Sequence, residues 1–245
     1  MPIDFTLTPE QRELQQSARQ FARNVLAGVA EATRHLPTPA ERFAATRPFY
    51  EQVIRGGFLR RLIPVPCGGE GTGMLDMAVV AEEFQSVDVN VSLTMFGALL
   101  GLPRPANGIV VERLSDSMGH RAHLTPRFRI ENVRVPKENV LGPIGGGLEL
   151  VEASFAGTAA LVGVFGVALM RAAFDFALNF ARTEHRGGIA PIIEHQAVGY
   201  ALADAKTAIE AARYLSWKAF TPSTFRPPAR LSCRCNRRSS ARKQR

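Results

Sequence analysis

A chain of 245 residues that is 46% hydrophobic holds enough apolar material for one large domain or two small ones. Its formal charge of +8 would ordinarily point to nucleic acid or an anionic surface, but eight of its 30 basic residues lie in 221–245 with no acid among them. That leaves 22 basic against 22 acidic residues in a neutral body, and Cys67, Cys233 and Cys235 are too few and too badly placed for a disulfide-stapled scaffold.

The first helix is predicted from Thr8-Pro9-Glu10-Gln11, a capping box with proline at the first helical position, where its missing N–H costs nothing. Leu14, Ala18, Phe21, Ala22, Val25, Leu26 and Val29 hold one face of it, and the helical pattern is read up to Pro37. A second helix is expected from about Pro39 to Ile54, ending at Gly56-Gly57, followed by the breaker-rich loop PVPCGGEGTG. Two more are expected around Met74–Ser86 and Asn90–Leu102, the latter apolar on nearly every face and so buried.

Composition changes at Leu102-Pro103-Arg104-Pro105. GIVVERL and RFRIENVRV, over 108–135, then read as strands from their alternating β-branched residues. A long helix follows from about Gly147 to Arg182, apolar almost all round from Phe155 to Phe180. Its densest run, Leu161–Met170, is too short to span a bilayer, no signal peptide is read ahead of the first helix, and the expectation is a cytoplasmic protein. The last helix carries Val198, Ala201, Ala205, Ala208, Ala212, Leu215 and Ala219 at alternating spacings of three and four, a mostly alanine seam that lets another helix approach closely. Beyond Phe220 the chain is rich in proline and charge without periodicity, and a disordered basic tail is expected over 221–245.

Few residues carry chemistry on their own. Gly145-Gly146-Gly147 opens a helix but matches neither full glycine-rich nucleotide motif, so a flexible helix start is the better reading. His120 and His123 have no third ligand at suitable spacing, and Cys233-Arg234-Cys235 lacks a second pair, so no metal site is assigned. Glu194 reads as a first-turn anion favourable to the helix dipole. No nucleophile, base and orienting group form a set, and no residue is assigned a catalytic role. The tail's single aromatic residue, Phe225, is too little for base stacking, so no nucleic-acid partner is expected.

Several blocks in order resemble the acyl-CoA dehydrogenase superfamily, most closely its nitroalkane-oxidase-like branch. They are DFTLTPEQRELQQSARQFARNVL (4–26), RFAATRPFYEQVIRGGFLRRLIPVPCGG (42–69), SLTMFGALLGL (92–102), GHRAHLTPRFRIENVRVPKENVLG (119–142), VEASFAGTAALVG (151–163) and HRGGIAPIIEHQAVGYALADAKTAIEAARYLSWKA (185–219). The tail shows no such resemblance.

The resemblance implies a mainly α protein: an N-terminal helical domain over 1–102, a remnant of a middle β domain over 103–142, and the first half of a C-terminal helical bundle over 143–220. It implies a homo-oligomer with FAD lying between domains and across a subunit boundary. It also implies oxidoreductase chemistry, in which a carboxylate removes a proton from an acidic C–H of an acyl-CoA thioester or nitroalkane and electrons pass to the flavin N5. Arg186 and Gln196 match residues that reach the FAD diphosphate and adenine side of a neighbouring subunit. Ser92, Leu93, Phe96 and Gly97 match positions lining the substrate cavity.

Two departures bear on activity. Only PRPANG joins the helix ending at Leu102 to the strands near Ile109, where the family has well over a hundred residues that include flavin-ring contacts. The place matching one known position of the base is Ala156-Gly157, which holds no acid, and the helices that would carry the other are not found after Phe220. A shortened oxidoreductase with impaired activity is therefore expected, the alternative being a non-catalytic protein that assembles with full-length family subunits.

Overall fold

In the computed structural model, residues 6–63, 65, 68–99, 108–134, 137 and 143–220 are described. Helix α1 (Pro9–Asn24) starts on the expected capping box, in which the Gln11 N–H donates to Thr8 Oγ1 at 3.2 Å and the Thr8 N–H donates to Gln11 Oε1 at 3.1 Å. A 3-10 turn at Leu26–Gly28 separates it from α2 (Val29–Arg34), where one helix had been read. The predicted helix over 39–54 is also two: α3 (Pro39–Ala45), under a second capping box at Thr38 and Glu41, and α4 (Arg47–Arg55). Pro48 explains the division, because its missing N–H fits only the first turn of a new helix. Gly57, at φ 78°, turns the chain into α5 (Phe58–Leu62).

Helix α6 (Met74–Gln85) is the spine of the molecule, with every residue from Met77 to Gln85 buried. Phe84 meets Phe21 of α1 and Phe58 of α5 with ring centroids 5.4 and 5.0 Å apart, closing a trio of rings at the core. Helix α7 (Val89–Leu99) follows after Asp88, whose carboxylate accepts the Val91 N–H at 2.7 Å. Burial pushes the Asp88 carboxyl up, against the hydrogen bonds from Val91 and Asn90.

Strands β1 (Ile109–Leu114) and β2 (Pro126–Ile130) form an antiparallel pair from Ile109↔Ile130 to Leu114↔Pro126, with a register shift between Val111 and Arg113. The second is shorter than predicted, and Asn132, at φ 49°, stands where extension would continue. Their connection is tied to the helices by Arg42 of α3, whose side chain is 2% exposed. Its guanidinium donates to the carbonyls of Leu36, Pro37 and Arg121, each at 3.0 Å, and to the Asp116 carboxylate.

Helix α8 (Gly147–Thr183) matches its prediction closely, and α9 (Gln196–Ala219) returns along it. Gly163 faces Ser216 while Phe174 faces Lys206, so the two run antiparallel. The face of α9 turned inward carries Ile209 and Arg213, and Phe220 at its C-cap is buried as well. The alanine seam is not that face: Ala201, Ala205, Ala208 and Leu215 are exposed. A stretch of α8, Thr158–Thr183, is long and apolar enough to cross a membrane by length and composition, more than the ten-residue run had suggested. The expected tail over 221–245 and the break at 102–105 lie outside the described residues.

Candidate functional site

The turn between α8 and α9 is built around Glu184. Its carbonyl accepts the Ile192 N–H at 2.8 Å, closing the loop, and its carboxylate accepts the Arg186 N–H at 2.8 Å. That second bond, with the nearby cationic side chain, holds the Glu184 carboxyl below its usual value. Arg186 adopts a left-handed conformation, φ 46°, with Gly187 at φ 79° after it. The guanidinium lies 5.6 Å over the Phe180 ring, 71% exposed, and 4.0 Å from Glu184. Gln196 opens α9, its amide donating to the Tyr200 hydroxyl, and His195 at the N-cap makes no side-chain cap.

This arrangement suits an anion. First-turn N–H groups without a side-chain cap carry the positive end of the helix dipole, and an exposed arginine fork matches phosphate oxygens. An exposed arginine and a helix start without a side-chain cap are each compatible with a diphosphate such as that of FAD. Behind the turn an apolar groove of about 500 Å³ runs between α8 and α9, walled by Phe176, Phe180, Ile192, Val198 and Leu202.

Ser92, Leu93, Phe96 and Gly97 lie on α7 and are not part of that turn. Ser92 is fully buried with its hydroxyl unpaired, Phe96 is 3% exposed, and Leu93 and Gly97 are half-buried. Phe96 packs against Phe165 of α8 at 5.6 Å between centroids. Phe165 and Phe180 are about 22 Å apart along a helix rising 1.5 Å per residue, so the two predicted groups occupy separate parts of α8.

The buried acids do other work. Glu82 and Glu83 on α6, each 1% exposed, are gripped by arginines from three helices. Arg19 of α1 holds Glu83, Arg213 of α9 holds Glu82, and Arg171 of α8 reaches both carboxylates at 2.9 Å. Burial raises the Glu83 carboxyl, but hydrogen bonds and charge from Arg19 and Arg171 outweigh it and leave the group below its usual value. Neither acid is free to abstract a substrate proton. Sequence reading missed this cluster, although Glu-Glu inside an otherwise apolar helix was its visible signal.

His123 sits with Nδ1 3.4 Å from Thr94 Oγ1, and among the described residues no group of three His, Cys, Asp or Glu is arranged to hold a metal ion. The side chains of Ala156 and Gly157 lie outside the description.

Helical body, small strand pair and long antiparallel helices together define an acyl-CoA-dehydrogenase-type flavoprotein frame. The family profile described as acyl-CoA dehydrogenase, N-terminal domain, matches residues 8–114, and that of the C-terminal domain matches 145–232. The second match includes twelve residues of the basic tail, where sequence reading had found no resemblance. The chain belongs to the acyl-CoA dehydrogenase superfamily, whose members are FAD-dependent oxidoreductases.

A nitroalkane oxidase from Podospora anserina is 28% identical over 334 residues, covering 89% of this chain and 78% of the relative. Since 89% of 245 residues is about 218, roughly 116 positions of that alignment have no counterpart here. The short-chain specific acyl-CoA dehydrogenase of Sus scrofa is 32% identical over 147 residues, 58% of this chain and 34% of the relative. The solved Podospora anserina nitroalkane oxidase superposes with a TM-score of 0.81 at 27% identity, over 89% of this chain and 78% of that one.

Proposed function

We propose that this chain is a pared-down flavin-dependent oxidoreductase subunit whose Arg186 and Gln196 reach the diphosphate and adenine side of an FAD held largely by another subunit. Ser92, Leu93, Phe96 and Gly97 would form the apolar wall of a pocket for a nitroalkane or acyl-CoA thioester. The domain limits at 102, 142 and 220 and a cytoplasmic location belong to the same reading. FAD, when bound, would accept the electron pair left as the substrate C–H loses its proton.

On this reading the chain by itself neither holds FAD tightly nor turns over substrate. The observation that carries it is the roughly 116 aligned positions with no counterpart. The two domain matches leave only residues 115–144 between them, and among the described residues the sheet has two strands. The purified chain should carry FAD well below one equivalent, with no bleaching on anaerobic addition of 1-nitrohexane or butyryl-CoA. A stoichiometric flavin spectrum that bleaches with either substrate overturns the reading.

A second reading, assembly with full-length family subunits as a non-catalytic partner, draws on the 71% exposure of the Arg186 side chain. Co-expression with a full-length relative and co-elution on size exclusion would support it; separate elution would end it.

A further inference from the structure

One surface of the α8–α9 pair has no covering among the described residues, and it is apolar. On α8, Phe155, Val162, Leu169 and Phe176 recur every seven residues and are 70%, 65%, 46% and 76% exposed. At 1.5 Å per residue that line is about 32 Å long. At its Phe176 end it meets the exposed seam of α9, because the groove walled by Phe176 and Phe180 has Val198 and Ala201 for its opposite wall. An exposed apolar surface of that extent marks contact with a partner protein or a membrane.

The charges of α8 decide how such a contact is made. From Phe155 to Ala181 only Arg171 and Asp175 are charged. With 3.6 residues per turn, Arg171 stands about 180° round the helix from Val162, and Asp175 about 140°. Arg171 is bound by Glu82 and Glu83, and Asp175 acts on the charge of Arg19, so both lie toward the body of the protein. Glu149 and Glu152, exposed at the start of α8, keep its first turns in water. The helix is built to lie on an apolar medium with one face, not to be surrounded by it.

Cations flank the line at both ends. Beyond Phe176 come exposed Arg182 and Arg186, with Ile189 wholly exposed in the turn that follows. Arg186 is 71% exposed and its pairing with Glu184, at 4.0 Å, is loose. At the other end, Gly163 faces Ser216, one turn before Phe220, so residues 221–245 leave α9 beside the Val162 part of the line. Those residues carry eight basic groups and no acid.

We propose that this surface docks on an anionic phospholipid membrane, with α8 and the seam of α9 lying at the level of the headgroups. The side chains from Phe155 to Phe176 reach the acyl boundary, while Arg182, Arg186 and the basic residues of 221–245 meet the acidic headgroups. The flavin reading is not needed for it. One signal alone, apolar or cationic, holds a protein to a membrane weakly, and the two together hold it firmly. A helix of another protein would bury the apolar line but leave the basic segment without counter-charge; acidic lipid satisfies both.

The test uses the full chain without added FAD, and vesicles of phosphatidylcholine alone or mixed equally with phosphatidylserine. The chain should sediment with the mixed vesicles, bind the neutral ones at least about tenfold more weakly, and come off as salt rises from about 0.1 M to about 1 M. Val162→Glu sets a charge in the middle of the line where the side chain is exposed. It should weaken binding about tenfold or more with unchanged helical circular dichroism. Changing the eight basic residues of 221–245 to glutamine should weaken it as much. In a background carrying Cys67→Ser, Cys233→Ser and Cys235→Ser, an environment-sensitive dye on Val162→Cys should shift to the blue on mixed vesicles, and one on Glu31→Cys should not. Absence of binding to mixed vesicles overturns the proposal, and so does equal binding to neutral ones. A folded Val162→Glu or glutamine variant that binds undiminished, or a dye at 162 that stays in water, overturns it too. So does a stable complex with another copy that forms without vesicles and does not bind them, because a helix would then cover the line.

Discussion

Arg213 and Glu82 stand 131 residues apart in the chain and meet fork to carboxylate, with Nε 3.0 Å and the second nitrogen 2.9 Å from Glu82 Oε1. Both are largely buried, so the pair fixes where α9 lies on α6. Burying two charges yields little net stability, but removing one partner strands the other in a dry interior. Glu82→Ala should therefore lower the unfolding free energy by about 3–5 kcal/mol. The double change Glu82→Leu with Arg213→Met should recover a large part of that loss in urea titrations.

The same cluster sets the response to acid. Glu83 is held below the ordinary carboxyl value of 4.5, so near and below that pH the unfolded chain binds more protons than the folded one. Stability is full above about pH 4.5 and falls as acid approaches the depressed folded value. Asp88, raised by burial, contributes the opposite slope and partly offsets it. Glu83→Gln should lower stability at pH 7 and flatten its decline below pH 4.5, read as urea midpoints across the pH series. An unchanged slope would remove Glu83 from the account.

Two glycines of α8 should respond oppositely to one methyl group. A Cβ at Gly166 enters open space, so Gly166→Ala should stabilise the chain by about 1 kcal/mol through helix propensity. A Cβ at Gly163 would stand 2.8 Å from Ser216 Oγ of α9. Gly163→Ala should bring no such gain until Ser216→Ala clears the space. Denaturant unfolding at low protein concentration checks both.

Arg42 binds three carbonyls and one carboxylate with a single guanidinium. Lysine keeps the charge but not the fork. Arg42→Lys should cost about 1–3 kcal/mol, the penalty of leaving buried acceptors unpaired. Hydrogen exchange should quicken at Ala122, whose N–H bonds to Asn90 Oδ1 at 2.9 Å, and leave α8 unaffected.

What the sequence made legible follows the physics of local signals. The start of α1 and the whole of α8 were readable because a capping box and a long unbroken apolar run depend on neighbours in the chain. The breaks at Leu26–Gly28 and Thr46 were passed over, although Pro48 marked the second. The inner face of α9 was misjudged because it carries Arg213, a charge whose burial depends on Glu82 far away in sequence. The alanine seam was read as a face for helices this chain does not supply, and Ala201, Ala205, Ala208 and Leu215 of it are exposed while Val198, Ala212 and Ala219 are half-buried. For the site, no local pattern distinguishes Arg186 from any exposed arginine in a turn, and its assignment rested on resemblance to a family.

Arg171 also bears on the apolar character of α8. Thr158–Thr183 is long and apolar enough to cross a membrane by length and composition alone, and Arg171 and Asp175 within it would each make a lipid setting about 2.5–3.5 kcal/mol less favourable. In the folded chain Arg171 is taken up by Glu82 and Glu83, so the charge that makes a lipid setting costly for this helix is the one that ties it to α6.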